Sequence, residues 1–344
     1  RIASLALRGD VRPGWGIVVT ASDATDGYDT LSSASTFAAL GEIRTRQRHY
    51  GWHNHITTPA GTLLLLGERT EEKVSRPGQP FAVSERHVDA VGAGLSGSGG
   101  VHTWQASLRR DRNSQFGAQD NGALAYGLVL SPAWRVGASI GQSYVAPSFN
   151  QLYFPNFGNP NLVPEEGQHG ELSVRWTAGA HALRAGYYEH RYRGFITSGQ
   201  APVNLPKVHI DGVTLAYEAR LGDVDIDASI DHVDPRNATP ASANNGRLLP
   251  RRAQRALRFG ADWQAGAFGA GATLAAFSHR FDDTANTLRL GGYGTLDLRA
   301  EWRLRPGLTL QAKLNNVANK RYETVYGYDQ PGREGFLSLR WALR

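Results

Sequence analysis

Apolar and polar residues alternate along most of this chain, and that period of two limits what it can fold into. In Asp223–Asp231, Val224, Ile226, Ala228 and Ile230 share one face, while Asp223, Asp225, Asp227, Ser229 and Asp231 share the other. Thr295–Leu304 sets Leu296, Leu298, Ala300, Trp302 and Leu304 against Thr295, Asp297, Arg299, Glu301 and Arg303. Leu308–Asn315 repeats the pattern, with Leu308, Leu310, Ala312 and Leu314 on its apolar side. Successive side chains of a strand point to opposite faces, so these segments read as β-strands with one apolar face. The opposite face is too charged for a dry core, where each carboxylate would need its own partner.

Connection lengths decide where such a sheet belongs. Short turns at Gly97–Gly100, Ser131–Pro132, Ala178–Ala180, Gly222–Asp223, Ala265–Ala267 and Arg305–Gly307 are separated by longer polar connections. These lie at Ala24–Glu42, Val145–Gly167, Gly194–Pro206, Asp234–Pro250 and Asn319–Gly332. Short turns at one end and long loops at the other, on strands of about 10–14 residues, are the pattern of a transmembrane barrel. Trp15, Trp134, Trp176 and Trp263 fall beside short turns, where an aromatic girdle sits, and Tyr187, Tyr217 and Trp302 fall on the apolar face. No apolar run approaches the ~18 residues of a membrane-spanning helix. The expected fold is therefore all-β, an antiparallel transmembrane β-barrel. Its lipid-facing set includes Val224, Ile226, Ile230, Leu296, Leu298, Trp302, Leu310 and Leu314.

Counting from turn to turn gives about seventeen strands, from Ile2–Arg8 to Arg333–Leu343, whereas single-chain bacterial barrels normally have an even number. The 344-residue chain also contains no methionine. Together these lead to the expectation of a fragment whose barrel is not closed.

Composition removes several function classes. With no cysteine there are no thiolate metal sites and no disulfide framework, which suits a protein that crosses an oxidising periplasm. The net charge of +6 is carried by basic residues scattered singly rather than gathered in a patch, so no nucleic-acid partner is expected. Gly92–Gly97 matches a dinucleotide-binding glycine pattern and Gly137–Gly141 a nucleophile elbow, but both motifs require a strand leading into a helix. Here both lie in strand patterns, and no enzyme activity is expected. His49, His53 and His55 share one strand face, where two-residue spacing permits chelation. Without a carboxylate or thiolate in that segment they read as polar wall residues, and no metal site is assigned.

Ala146–Glu166 holds Pro147, Pro155, Pro160 and Pro164 among aromatic and amide side chains. Prolines lower the entropy lost when a loop is ordered on binding. Tyr153, Phe154 and Phe157 offer rings and Asn159 an amide, a mixture suited to gripping a large amphipathic small molecule or to packing the loop on itself as a lid.

These residues also carry a resemblance. Ser143–Tyr153 and Gly158–Glu165 resemble the TonB-dependent outer-membrane receptors, in particular the branch that carries cobalamin (vitamin B12). Arg109–Gly117, the double-arginine segment Leu248–Gln254 and the stretch Tyr322–Glu334 extend the likeness over essentially the whole chain. The resemblance implies a barrel of about 22 strands around a plug, of which residues 1–344 would be the C-terminal barrel part. The TonB box, the plug, about five strands and the family's calcium ligands would all precede Arg1. The implied function is TonB-dependent uptake of cobalamin or a related corrinoid, with no cofactor beyond the transported ligand. The implied setting is the outer membrane of a Gram-negative bacterium. The implied partners are its lipid and lipopolysaccharide, TonB through the missing region and a small-molecule ligand, for a receptor acting as a monomer. The first arginine of the double-arginine segment contacts ligand in the family, and Arg251 falls there, at the start of a strand expected over Arg251–Gln264. Two departures stand out: no tyrosine follows the segment matching His279–Asp283, and the chain ends Trp341-Ala342-Leu343-Arg344 rather than on an aromatic residue. The rival readings are a siderophore or haem receptor and a passive porin-like channel. Haem uptake would favour histidine or tyrosine ligands in the loops, and Val145–Pro164 contains no histidine.

Overall fold

A computed structural model describes residues 1–30, 41–197 and 201–342. Seventeen strands belong to one antiparallel sheet, the number expected from turn spacing. Two further two-stranded ladders lie in long connections.

The chain divides into two compact units. The first comprises residues 1–128, 138–170 and 191–207. It holds β1 (Ile2–Arg12), β2 (Trp15–Thr30), β3 (Gly41–Thr58), β4 (Gly61–Ser75), β5 (Glu85–Gly99), β6 (His102–Asn113), nearly all of β7 (Gly117–Val129), most of β8 (Trp134–Val145) and one short helix, α1 (Phe149–Tyr153). Parts of β9 (Glu165–Ala178), β10 (His181–Thr197) and β11 (Val203–Leu221) belong to each unit. The second unit continues with β12 (Val224–Asn237), β13 (Arg255–Ala265), β14 (Phe268–Phe277), β15 (Arg280–Phe281) and β16 (Arg289–Leu290). It ends with β17 (Tyr293–Arg305), β18 (Leu308–Asn315), β19 (Glu323–Val325), β20 (Tyr328–Asp329) and β21 (Glu334–Trp341).

In the second unit, register shows that the alternation has one consistent meaning. Val224, Ile226 and Ile230 of β12 lie opposite Trp263, Ala261 and Leu257 of β13, which lie opposite Ala270, Ala272 and Ala276 of β14. Ala270 and Ala272 lie opposite Ala300 and Leu298 of β17, and Leu298 and Trp302 lie opposite Leu314 and Leu310 of β18. Directly opposed residues share a face, and Leu296 joins it opposite Leu274. All eight residues expected to face lipid thus form one apolar surface, with Ile230 53%, Leu298 40% and Trp302 46% exposed.

The other face carries charges that pair between strands. Asp225, Asp262, Gly271, Arg299 and Lys313 form one row across β12, β13, β14, β17 and β18. Arg299 Nε donates to Asp262 Oδ1 (2.6 Å) across the intervening strand, and Arg299 Nη1 donates to Thr273 Oγ1 (2.8 Å). That reach depends on Gly271, where a Cβ would lie 2.2 Å from Asp262 Oδ1 and 2.6 Å from Arg299 Nε. Glycine weakens a strand, so its place here marks a close approach over the backbone.

Tight turns close the short connections, with Gly222 and Gly266 at φ of 62° and 55°, a left-handed backbone that glycine adopts without strain. Aromatic rings gather beside these turns, as expected for a girdle. Trp134 and Trp176 lie 6.5 Å apart, Phe268 stacks on Trp302 at 5.8 Å, and in the first unit Trp15 Nε1 donates to Asn54 Oδ1 (3.0 Å).

The expected boundaries shift at the long connections. β2 continues to Thr30 and β3 begins at Gly41, so the described residues of Ala24–Glu42 are all strand; residues 31–40 lie outside the described set. β10 reaches Thr197 and β11 starts at Val203, which shortens Gly194–Pro206; residues 198–200 also lie outside it. Backbone pairing satisfies N–H and C=O groups whatever the side chains, so strands outrun their apolar alternation. β13 starts at Arg255, not at Arg251, whose φ of 62° is incompatible with a strand. β1 pairs with β2 and β21 with β18, and neither has a second partner among the described residues. Every residue of both strands is exposed, so the sheet is not closed, as its odd strand number implied.

Gly271→Val should destabilise the folded protein by about 1–3 kcal/mol, the usual cost of overpacking. Arg299→Ser should recover part of that loss by vacating the space. Urea unfolding of the two single variants and the double variant measures the coupling, and simple additivity would mean that the pair does not depend on the glycine.

Candidate ligand-binding residues in the long connections

The connection after β8 is a packed structure with its own core. Ser148 caps α1: its Oγ accepts from Gln151 N–H (3.2 Å), and Gln151 Oε1 accepts from Ser148 N–H (2.9 Å). This capping box follows from the S-x-x-Q spacing, a signal the sequence carried but the reading of a rigid loop passed over. The helix buries Phe149 against Ile43, Val74 and Phe81, and Leu152 against Leu162 and Ile196. Arg86 fastens the entry to the helix. It pairs with Glu72, its Nη1 donates to Pro147 O (2.6 Å), and its guanidinium lies 4.6 Å from the Phe149 ring.

The four loop residues expected to meet ligand are all half-buried in this cap. Tyr153 Oη accepts from Gln115 Nε2 (2.7 Å), and Asn159 Nδ2 donates to Pro202 O (3.1 Å). Phe154 and Phe157 meet edge to face at 6.4 Å, and the Arg76 guanidinium lies 6.0 Å from the Phe154 ring. Asn113 Oδ1 accepts from the N–H groups of Gln115 and Phe116, which directs Phe116 into the cluster around Leu152. Two segments that carry the family resemblance, Arg109–Gly117 and Ser143–Glu165, are thereby packed on one another. The four side chains hold the loop together, and only their outward faces remain for a ligand.

Arg251 belongs to a second arrangement, within the other unit. Its N–H donates to Phe281 O (2.6 Å), and its Nε and Nη2 reach Asp282 Oδ1 (2.7 Å) and Oδ2 (3.4 Å). No described residue accepts from its Nη1, so a closed ion pair presents one open edge. The neighbouring loop is tied in by Asn286, which accepts from Leu248 N–H (2.8 Å) and donates to Leu248 O (2.9 Å). Asp283 caps its own turn, taking the N–H groups of Thr287 (2.9 Å) and Leu288 (2.8 Å) and the Thr287 hydroxyl (2.8 Å). Burial raises the Asp283 carboxyl, but these donors outweigh it and hold the group below the usual aspartate range.

Sequence reasoning missed Arg280. It is 8% exposed and lies 5.9 Å from the Phe277 ring and 5.5 Å from that of Tyr293, which stacks on Tyr322 at 3.9 Å. A lone arginine in an irregular loop has no periodic signal, so only its burial distinguishes it.

The polar wall of the first unit carries the histidines. His53 Nε2 lies 2.8 Å from Glu68 Oε1, and Arg109 joins Glu68 (2.7 Å) to Asp111 (3.0 Å) over Ala90 and Gly92 of β5. His49 Nδ1 lies 3.1 Å from Thr70 Oγ1. Among the described residues no three ligating side chains are grouped to hold a metal.

Comparison with known proteins now adds the family. Residues 9–317 match the family described as TonB dependent receptor-like, beta-barrel. The chain belongs to this family. The receptor barrel also aligns over 99% of its length with a ferric enterobactin receptor of Pseudomonas aeruginosa, at 17% identity and a TM-score of 0.78, covering 61% of that chain. A siderophore receptor of Acinetobacter baumannii matches at 16% identity and a TM-score of 0.78, again over 99% of this chain and 64% of that one. A copper transporter matches at 16% identity and 0.79, covering 99% and 65%. At these identities the likeness is one of fold. The receptor barrel described here spans about three-fifths of the length of these structures.

The depressed Asp283 carboxyl gives the turn a defined pH response. Its contribution to stability is fully present above the unfolded aspartate value of about 3.9 and is lost as pH falls through the lower folded value. Hydrogen exchange in residues 282–290, corrected for intrinsic rates, should quicken only below that ordinary range. Asp283→Ala should make exchange fast at every pH, and a transition near pH 6 would point to another group.

Proposed function

We propose that this chain is the barrel part of an outer-membrane receptor importing a corrinoid, cobalamin or a close relative, with energy delivered through TonB. The family membership supports TonB-dependent uptake, and it is a family of receptors rather than enzymes. The observation that carries the corrinoid reading is the placement of the resembling segments. Arg109–Gly117 and Ser143–Glu165 form one ordered cap, and Leu248–Gln254 carries Arg251, held in place with donors to offer.

In this reading the chain's residues bind and orient. Arg251 exchanges part of its pairing with Asp282 for an amide oxygen of the ligand, and its rigid fork limits the poses accepted. Tyr153, Phe154, Phe157 and Asn159 present the outward faces of a loop already ordered by its core, so binding costs less entropy than closing a flexible arm. The apolar face lies against lipid and lipopolysaccharide, TonB couples through segments outside this chain, and the receptor acts as a monomer.

A second reading, uptake of a ferric siderophore, is favoured by what the structural relatives are described as binding. The two separate by equilibrium binding to the purified full-length gene product. Cyanocobalamin should bind and a ferric catecholate should not, and the reverse would replace the corrinoid reading with the siderophore one. Arg251→Ala should weaken cyanocobalamin binding by about 1–3 kcal/mol, the worth of a charged hydrogen bond. An unchanged dissociation constant in a folded variant would leave Arg251 as a loop brace for Asp282.

The membrane assignment has its own check. Leu298→Arg introduces a charge on the apolar face and should cost about 2–4 kcal/mol of stability in lipid vesicles if the site lies at mid-depth. Urea titration in vesicles reads this directly, and a neutral result would place Leu298 away from lipid.

A further inference from the structure

Arg280 poses a problem of charge balance. A guanidinium stays protonated at any physiological pH, so burial cannot be relieved by loss of the proton. Yet Arg280 is 8% exposed, its Nε is sealed from solvent without a hydrogen-bond partner, and no ion pair reaches it among the described residues. The carboxylates of its own segment point elsewhere: Asp282 pairs with Arg251, and Asp283 accepts from Thr287 and Leu288. What surrounds the guanidinium instead is aromatic, with Phe277 and Tyr293 on its flanks. Cation–π attraction offsets only part of the desolvation of a buried charge.

We infer that Arg280 is an anion-binding residue of this receptor and receives the phosphodiester of the transported ligand. This inference rests on the corrinoid reading, because cobalamin carries one such group in its nucleotide arm. The site is placed for it. Arg280 opens the short β15 ladder opposite Leu290, and the next residues, Phe281 and Asp282, hold Arg251. The two arginines on this segment differ in state: Arg251 is already paired, whereas Arg280 has a full charge to satisfy. A phosphodiester brings one negative charge and acceptor oxygens that match the guanidinium fork. The flanking Phe277 and Tyr293 rings lower the local polarity, which strengthens the pair that forms.

The test uses the full-length gene product, wild type and Arg280→Met, with three probes. These are inorganic phosphate, cyanocobalamin, and dicyanocobinamide, a corrinoid without the nucleotide phosphodiester. Phosphate should raise the melting temperature of the wild type and not that of Arg280→Met. Without phosphate, Arg280→Met should melt no lower than wild type, since methionine fills the space without an unpaired charge. Cyanocobalamin should bind Arg280→Met about ten-fold or more weakly, and dicyanocobinamide should bind both proteins equally. Arg280→Lys, which keeps the charge, should retain part of the phosphate effect. Equal losses on both corrinoids, unchanged phosphate protection in Arg280→Met, or a lower phosphate-free melting temperature would overturn the inference. Should the wild type bind neither corrinoid, the corrinoid reading fails, while the phosphate arm still decides whether Arg280 takes an anion.

Discussion

The structure depends on a sheet whose two faces have opposite chemistry, so that register decides every contact. A slip of one residue would carry Asp225, Asp262 and Arg299 to the apolar side and bring Val224, Trp263 and Leu298 among the charges. Short turns at Gly222 and Gly266 fix the alignment of neighbouring strands. Charges on the polar face must still find one another across strands. They do so over the smallest residues available: Arg299 reaches Asp262 over Gly271, and Arg109 reaches Glu68 over Gly92 and Ala90. The wall is thus knit by ion pairs whose geometry depends on missing side chains as much as on those present.

Long connections follow a different rule. Once released from the ladder, their backbone groups and apolar side chains need partners of their own. The connection after β8 finds them by burying Phe149 and Leu152 and by accepting Arg86 at Pro147. In the second unit, Asn286 and Asp283 lace the backbone of the connections together. Such preorganisation lowers the entropy lost on binding. It also engages the rings and amides that a ligand would otherwise use.

The electrostatics of the segment Arg280–Asp283 express that competition. Asp282 pairs with Arg251 and Asp283 accepts from the N–H groups of its own turn, so neither forms an ion pair with Arg280. Satisfying the loop internally therefore leaves one guanidinium short of an anion. A chain that needed only a stable loop would gain more from an apolar residue at that position.

The fold was largely legible in the sequence because alternation in Asp223–Asp231, Thr295–Leu304 and Leu308–Asn315 is a local property of strands, and local properties survive whatever the chain packs against. Turn spacing gave the strand number for the same reason, and the capping box at Ser148 and Gln151 was equally local. The candidate site was legible only in part. Tyr153, Phe154, Phe157 and Asn159 could be named from composition, but whether their groups were free depended on Gln115, Arg76 and Pro202, which lie 38, 78 and 43 residues away. Arg251 was read as the start of a strand, and only a turn closed by Phe281 and Asp282 shows why it is not. Arg280 carries no pattern at all. The sequence by itself determined which face of each strand is apolar, since that needs only neighbours two residues apart. Tertiary structure alone decided which charges are paired and which are not, because pairing depends on which carboxylates distant parts of the chain have already claimed.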